Sequence, residues 1–206
     1  MKKIILALLI VGIGISASAR DNAAPTTEKK KHNRVRPEKC PVIYITTSTG
    51  INNNTAILGF SFDMPVSKNV SIEAGPGTGT WGNKLFVGSK YYLSPCHRGF
   101  AFGVGFTYCP GVYHDNANLT TVYGNTEDVE YNKNPLTNIV FAAYKYWNLG
   151  KKHNRVFAEL GWSMLLTVGE RITQVSGDPI SSGNINSLDS DAPGGPIAAV
   201  GISFGL

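Results

Sequence analysis

The stretch Arg98–Cys109 reads R-G-F-A-F-G-V-G-F-T-Y-C. Phe100, Phe102, Val104, Phe106 and Tyr108 fall on one side of the alternation; Gly99, Ala101, Gly103, Gly105, Thr107 and Cys109 fall on the other. Successive strand side chains point to opposite faces, so a period of two means a β-strand and rules out an amphipathic helix. A strand on a soluble protein would back its apolar face with Lys, Glu, Thr or Gln. This one backs it with glycine and alanine, which fits a wall with lipid outside and a cramped interior inside.

Seven further segments carry related patterns: 42–49, 55–63, 70–75, 84–93, 138–148, 155–167 and 196–206. Most are near the 9 to 11 residues that a tilted strand needs to cross a bilayer. The segment 42–49 has the weakest alternation, and 138–148 is bulky on both faces. In 155–167, Val156, Ala158, Leu160, Trp162, Met164 and Leu166 oppose Glu159, Gly161, Ser163 and Thr167. The connections sort by side. Three are short (64–69, 94–98, 149–154) and two on the other side are long (110–135, 169–195), with the shorter 50–54 and 76–83 on that same side. Short turns at one end and long loops at the other are the arrangement of a transmembrane barrel. The expected fold is all-β: an eight-stranded antiparallel up-and-down transmembrane β-barrel.

Upstream, Met1-Lys2-Lys3 precedes an apolar run to Ile15 and then Ala17-Ser18-Ala19. That is the layout of a secretory signal peptide over 1–19, too short in its apolar part to span as a helix. Residues 20–40 are basic and poor in apolar side chains, so they read as a disordered tail on the periplasmic side; 41–206 form the barrel domain. The hexapeptide K-K-H-N-R-V occurs at 30–35 and again at 151–156, and no physical argument explains it. The formal charge of +5 falls to +3 when Lys2 and Lys3 leave, which gives no case for nucleic acid. Cys40, Cys96 and Cys109 are an odd set in an oxidising compartment, so at least one stays unpaired. A bridge between Cys40 and Cys96 would need the tail to fold across the end of the barrel, and the sequence leaves that pairing open.

These patterns resemble the small outer-membrane barrels of Gram-negative bacteria, the OmpA/OmpX type, over 41–206. The resemblance is carried above all by the C-terminal P-I-A-A-V-G-I-S-F-G-L, with apolar residues at every second place. It implies that Val200, Ile202, Phe204 and Leu206 form the insertion signal read by the barrel-assembly machinery, although such chains typically end on an aromatic residue and this one ends on Leu206. It also implies contact with outer-membrane lipids and an outer-membrane location, and no single activity. A soluble lipocalin-like barrel is the rival fold; it would need its large residues inside and charge outside.

Eight strands leave an interior just wide enough for side chains. The alternation sends Glu73, Lys90 and Glu159 into it, and Lys145 if its strand keeps register. Buried charges must pair, so these four are expected to form a structural network that fills the lumen. No catalytic, cofactor or metal site is expected. His114 beside Asp115 is the one histidine on the long-loop side, with no strand-borne serine to serve; His32 is in the tail, and His97 and His153 lie in or near short turns. The long loops carry Asp115, Glu127, Asp128, Glu130, Glu170, Asp178, Asp189 and Asp191 against Lys133 and Arg171, with Tyr113, Tyr123 and Tyr131 interspersed. They are the natural recognition surface. The expected function is therefore a closed-lumen structural or surface-binding barrel; a narrow porin-like channel and an outer-leaflet lipid-modifying enzyme are the alternatives.

Overall fold

The computed structural model describes residues 40–54, 56–150 and 153–206. The expected signal peptide and all but the last residue of the expected tail lie outside the described residues.

Eight strands close into an antiparallel barrel: β1 (Tyr44–Ile51), β2 (Leu58–Pro65), β3 (Val70–Gly79), β4 (Gly82–Ser94), β5 (Arg98–Cys109), β8 (Leu136–Leu149), β9 (Asn154–Leu165) and β11 (Gly195–Gly205). Around the wall the order is β1-β11-β9-β8-β5-β4-β3-β2, so every barrel strand pairs with the barrel strands before and after it in the chain. The ring closes where β1 pairs with both β2 and β11; Leu206 N donates to the Ile43 carbonyl at 3.0 Å and Val42 N to the Leu206 carbonyl at 2.9 Å. Closure removes the sheet edge, so no barrel strand leaves a row of unpaired backbone groups.

Strand β5 lies where the alternation put it. Phe102 and Phe106 are 55% and 51% exposed on the outer wall, while Ala101, Thr107 and Cys109 are buried inside. This inverts the soluble-barrel arrangement, which would turn the phenylalanines inward.

The glycines of the inner face have a steric reason. A Cβ on Gly105 would lie 2.5 Å from Phe86, one on Gly103 2.9 Å from Tyr144, and one on Gly201 2.5 Å from Phe157. The lumen is filled by a few large side chains, and each leans over a position without one.

Three differences from the expected layout concern the loop end. The connection anticipated over 76–83 is a tight turn, Thr80-Trp81, because β3 and β4 run on to Gly79 and Gly82, and Gly82 supplies the positive φ of 83° that the turn requires. The segment 110–135 is a hairpin, not an open loop: β6 (Val112–Thr120) pairs with β7 (Thr126–Lys133). The segment 169–195 contributes β10 (Ile172–Ser176), which pairs with the other side of β7, and α1 (Ser182–Ser190). The two longest connections thus form one three-stranded sheet, ordered β10-β7-β6. Val129 and Tyr131 of β7 are buried there, as are Thr121 and Ile180, which form an isolated bridge.

Candidate functional site

Two surfaces carry the chemistry of the barrel, the filled interior and the outer wall. Within the eight strands and the residues that plug them, the buried charges are Asp63, Glu73 and Glu159 against Lys84, Lys90 and Arg155. Three acids face three bases.

They are layered along the axis. At the short-turn end, Arg155 is 1% exposed, pairs with Asp63 at 2.7 Å and donates to the His97 carbonyl. Tyr92 Oη donates to the same Asp63 oxygen at 2.7 Å. The guanidinium also lies over the rings of Tyr44 and Tyr146, 3.6 and 4.1 Å from their centroids. A planar cation that stacks and bridges at once needs arginine; lysine would lose most of this.

In the middle, Lys90 pairs with Glu73 at 2.8 Å and donates to Tyr146 Oη at 3.1 Å, and Ser61 donates to Glu73 at 2.7 Å. Tyr144 Oη donates to Glu159 at 3.2 Å and accepts from Asn54 at 2.6 Å.

At the loop end, the β1–β2 connection folds into the barrel mouth. Asn53 donates to Ser48 Oγ at 2.8 Å, and its carbonyl accepts from Lys84 Nζ at 2.8 Å. Above it, Trp81, Cys109 and Leu136 pack with Leu165, Ile172 and Ala192. Between Ser48, Glu73, Lys90, Tyr144 and Glu159 the remaining cavity is about 10 Å³, room for no more than a water.

The other end is closed by a turn. His97 is buried and packs edge-on against Tyr92, ring centroids 4.6 Å apart. Cys96 and His97 both have φ of 58°, a left-handed conformation that costs non-glycine residues. A disulfide joins Cys96 to Cys40, and Tyr44 Oη donates to the Cys96 carbonyl at 3.2 Å. The start of the described chain therefore does cross the end of the barrel. Cys109 is free and buried.

Of the four lumen residues anticipated from sequence, Glu73, Lys90 and Glu159 lie inside and belong to one network. Lys145 does not. Its strand is bulky on both faces, and the register decides which face turns in: Tyr144 and Tyr146 lie opposite Ala101 and Gly99, the positions of β5 with room for a ring inside. Lys145 is thereby placed on the outer wall, with Nζ 3.9 Å from the centroid of Phe100. Asp63 and Arg155 were missed, although the same alternation puts Asp63 on the face of Ser61 and Arg155 on the face of Glu159. The plugging role of Asn53, Asn54 and His97 had no signal, because loop residues carry no period.

Val200, Ile202, Phe204 and Leu206 all stand exposed on the outer wall. They continue a belt that includes Leu85, Val87, Phe141, Leu160, Trp162 and Met164, with Leu160 66% exposed. Soluble monomers rarely show contiguous apolar patches beyond a few hundred Å², and this one runs round the wall.

Comparison with known proteins gives no family. No family model matches the chain, and no curated protein matches it. Among solved structures, the N-terminal β-barrel domain of Pseudomonas aeruginosa OprF is similar at 13% identity and a TM-score of 0.40, with 80% of this chain and 95% of that one covered.

The raised sheet at the loop end is tied by ion pairs. Lys133 pairs with Asp115 at 2.8 Å and Arg171 with Asp189 at 2.9 Å, and His114 meets Glu130. Glu127 accepts from the Asp178 backbone N–H. The hydrogen bond from Lys133 and its charge, with a further bond from Tyr131, hold the Asp115 carboxyl below its usual range against the opposing effect of burial. An acid whose folded pKa is depressed contributes stability above the unfolded value, about 4, and loses it as pH falls through the folded one. Amide exchange across β6–β7, corrected for intrinsic rates, is expected to be slow at pH 6 and faster at pH 3. Equal protection at both would remove the Asp115–Lys133 pair as a support of the sheet.

Proposed function

We propose that this chain is an outer-membrane β-barrel protein with a closed lumen, which holds a folded recognition platform at the cell surface. The observation that carries the reading is the apolar wall. Its large side chains face outward on all eight strands, with Tyr91 and Trp147 toward the short-turn end and Tyr108 and Trp162 toward the loop end. Such aromatic girdles suit the two interfaces of a bilayer. Export by the expected signal peptide, and recognition of Val200, Ile202, Phe204 and Leu206 by the assembly machinery, complete the route to that membrane.

The platform is the β10-β7-β6 sheet, which presents Tyr113, Tyr123 and carboxylates from two connections; its ligand is a surface molecule of the cell or its surroundings. The role is non-enzymatic, and the lumen network is a structural plug rather than a path. Three readouts test this. Unheated protein is expected to run faster on a gel than boiled protein, and a mature chain that stays soluble without detergent would refute the membrane assignment. In planar bilayers no steady conductance is expected, and reproducible channels would replace the plug by a pore. Deletion of the gene is expected to leave lipid A acylation unchanged, and an altered acyl pattern would make the protein an enzyme.

A further inference from the structure

Among the described residues of the eight strands, Arg98 at the first position of β5 aside, Lys145 is the one charged side chain that faces outward. No carboxylate among the described residues pairs with it. Its cross-strand neighbours are Phe100 on one side and Ala158 on the other. Two residues nearer the turn, Trp147 is 48% exposed on the same face. Two residues the other way is Ala143, which lies between Phe102 and Leu160. Ala143 and Ala158 are small residues on a wall of large ones, so the register leaves a trough beside the lysine.

The depth of Lys145 matters as much as its surroundings. It is four residues from the end of β8, which is about 13 Å along the strand and less in height because the strand is tilted. A lysine on the lipid face is costly at mid-membrane and nearly free near an interface. Here its stem can lie along apolar surface while the ammonium reaches the headgroups. The described part of that end agrees: among the described residues its short connections contain Lys68 and no Asp or Glu, whereas the acidic residues of the described connections lie at the opposite end.

Resting on the membrane assignment above, we infer that Lys145, with Phe100 and Trp147, binds the phosphate of an anionic glycerophospholipid in the leaflet that faces the short turns. The ammonium supplies the counter-charge, the ring of Phe100 holds it in place, and an acyl chain lies in the trough over Ala143. The committed ligand is a single-phosphate diacyl lipid. A lipid with several phosphates and many acyl chains would belong to the other leaflet.

The test uses the refolded full chain, first in vesicles of phosphatidylglycerol and phosphatidylcholine, then in detergent with phosphatidylglycerol, phosphatidylcholine and lipid A titrated separately and counted by native mass spectrometry. The wild type is expected to insert, as judged by the unheated gel band, and to retain one phosphatidylglycerol in preference to phosphatidylcholine. Lys145→Gln is expected to lower phosphatidylglycerol retention about fivefold without changing phosphatidylcholine, and Lys145→Arg to keep it. Insertion without selectivity, equal retention in Lys145→Gln, or preferential uptake of lipid A would overturn the inference alone. Failure of the wild type to insert would overturn the membrane assignment with it.

Discussion

Arg155→Met is expected to destabilise the barrel by about 3–5 kcal/mol, the cost of leaving a buried charge without its partner. The change removes the 2.7 Å pair with Asp63, the bond to the His97 carbonyl and the stacking on Tyr44 and Tyr146 together. Asp63 would keep only the Tyr92 hydroxyl of the partners described above. The measurement is the urea midpoint of refolding into vesicles, followed by the gel shift. A companion variant carrying Asp63→Leu as well is expected to recover a large part of the loss, since replacing both members of a buried pair by apolar groups is far milder than removing one. A single-variant loss under about 1 kcal/mol would mean that the pair is solvated and that the turn end of the lumen is open.

The second large effect is expected from Cys96→Ser. The bridge to Cys40 spans 56 residues of chain, and closing a loop of that length restricts the unfolded state by about 4 kcal/mol in the chain-entropy account. Loss of the bridge also frees the turn that carries His97, held with two consecutive residues at φ of 58°. Because the Arg155 guanidinium uses the His97 carbonyl, Arg155→Met and Cys96→Ser share a partner, and the double variant is expected to lose less than the two single losses added. Unchanged unfolding of the non-reduced and reduced wild type would overturn the clamp. Full additivity would separate the bridge from the arginine.

The alternation in Arg98–Cys109 was readable because two physical demands coincide in it. Lipid wants large apolar groups outside, and a narrow lumen that holds Phe86, Tyr144 and Phe157 wants glycine inside. Strand β8 was legible as a strand but not as to its faces, since Tyr144 and Tyr146 are as bulky as Phe141 and Trp147, and only pairing with Gly99 and Ala101 separates them. That ambiguity sent Lys145 to the wrong side. The attachment of β10 to the β6–β7 hairpin was illegible because it joins segments about forty residues apart, and β10 has five residues, too few to establish a period. The disulfide was likewise a matter of three-dimensional approach, and the sequence offered only three cysteines and no distances.

The sheet built from two connections has a practical side. An epitope or a foreign domain grafted between β6 and β7, near Gly124, where a side chain would meet open space, would be displayed at the tip of a preformed platform. A graft into β7 itself would break its pairing with both neighbours and dismantle the segments from both connections at once. For the same reason the two segments cannot drift independently under selection: a change in the register of β10 must be answered on β7, so diversity at this surface is confined to the hairpin tip and the outward rows of the sheet.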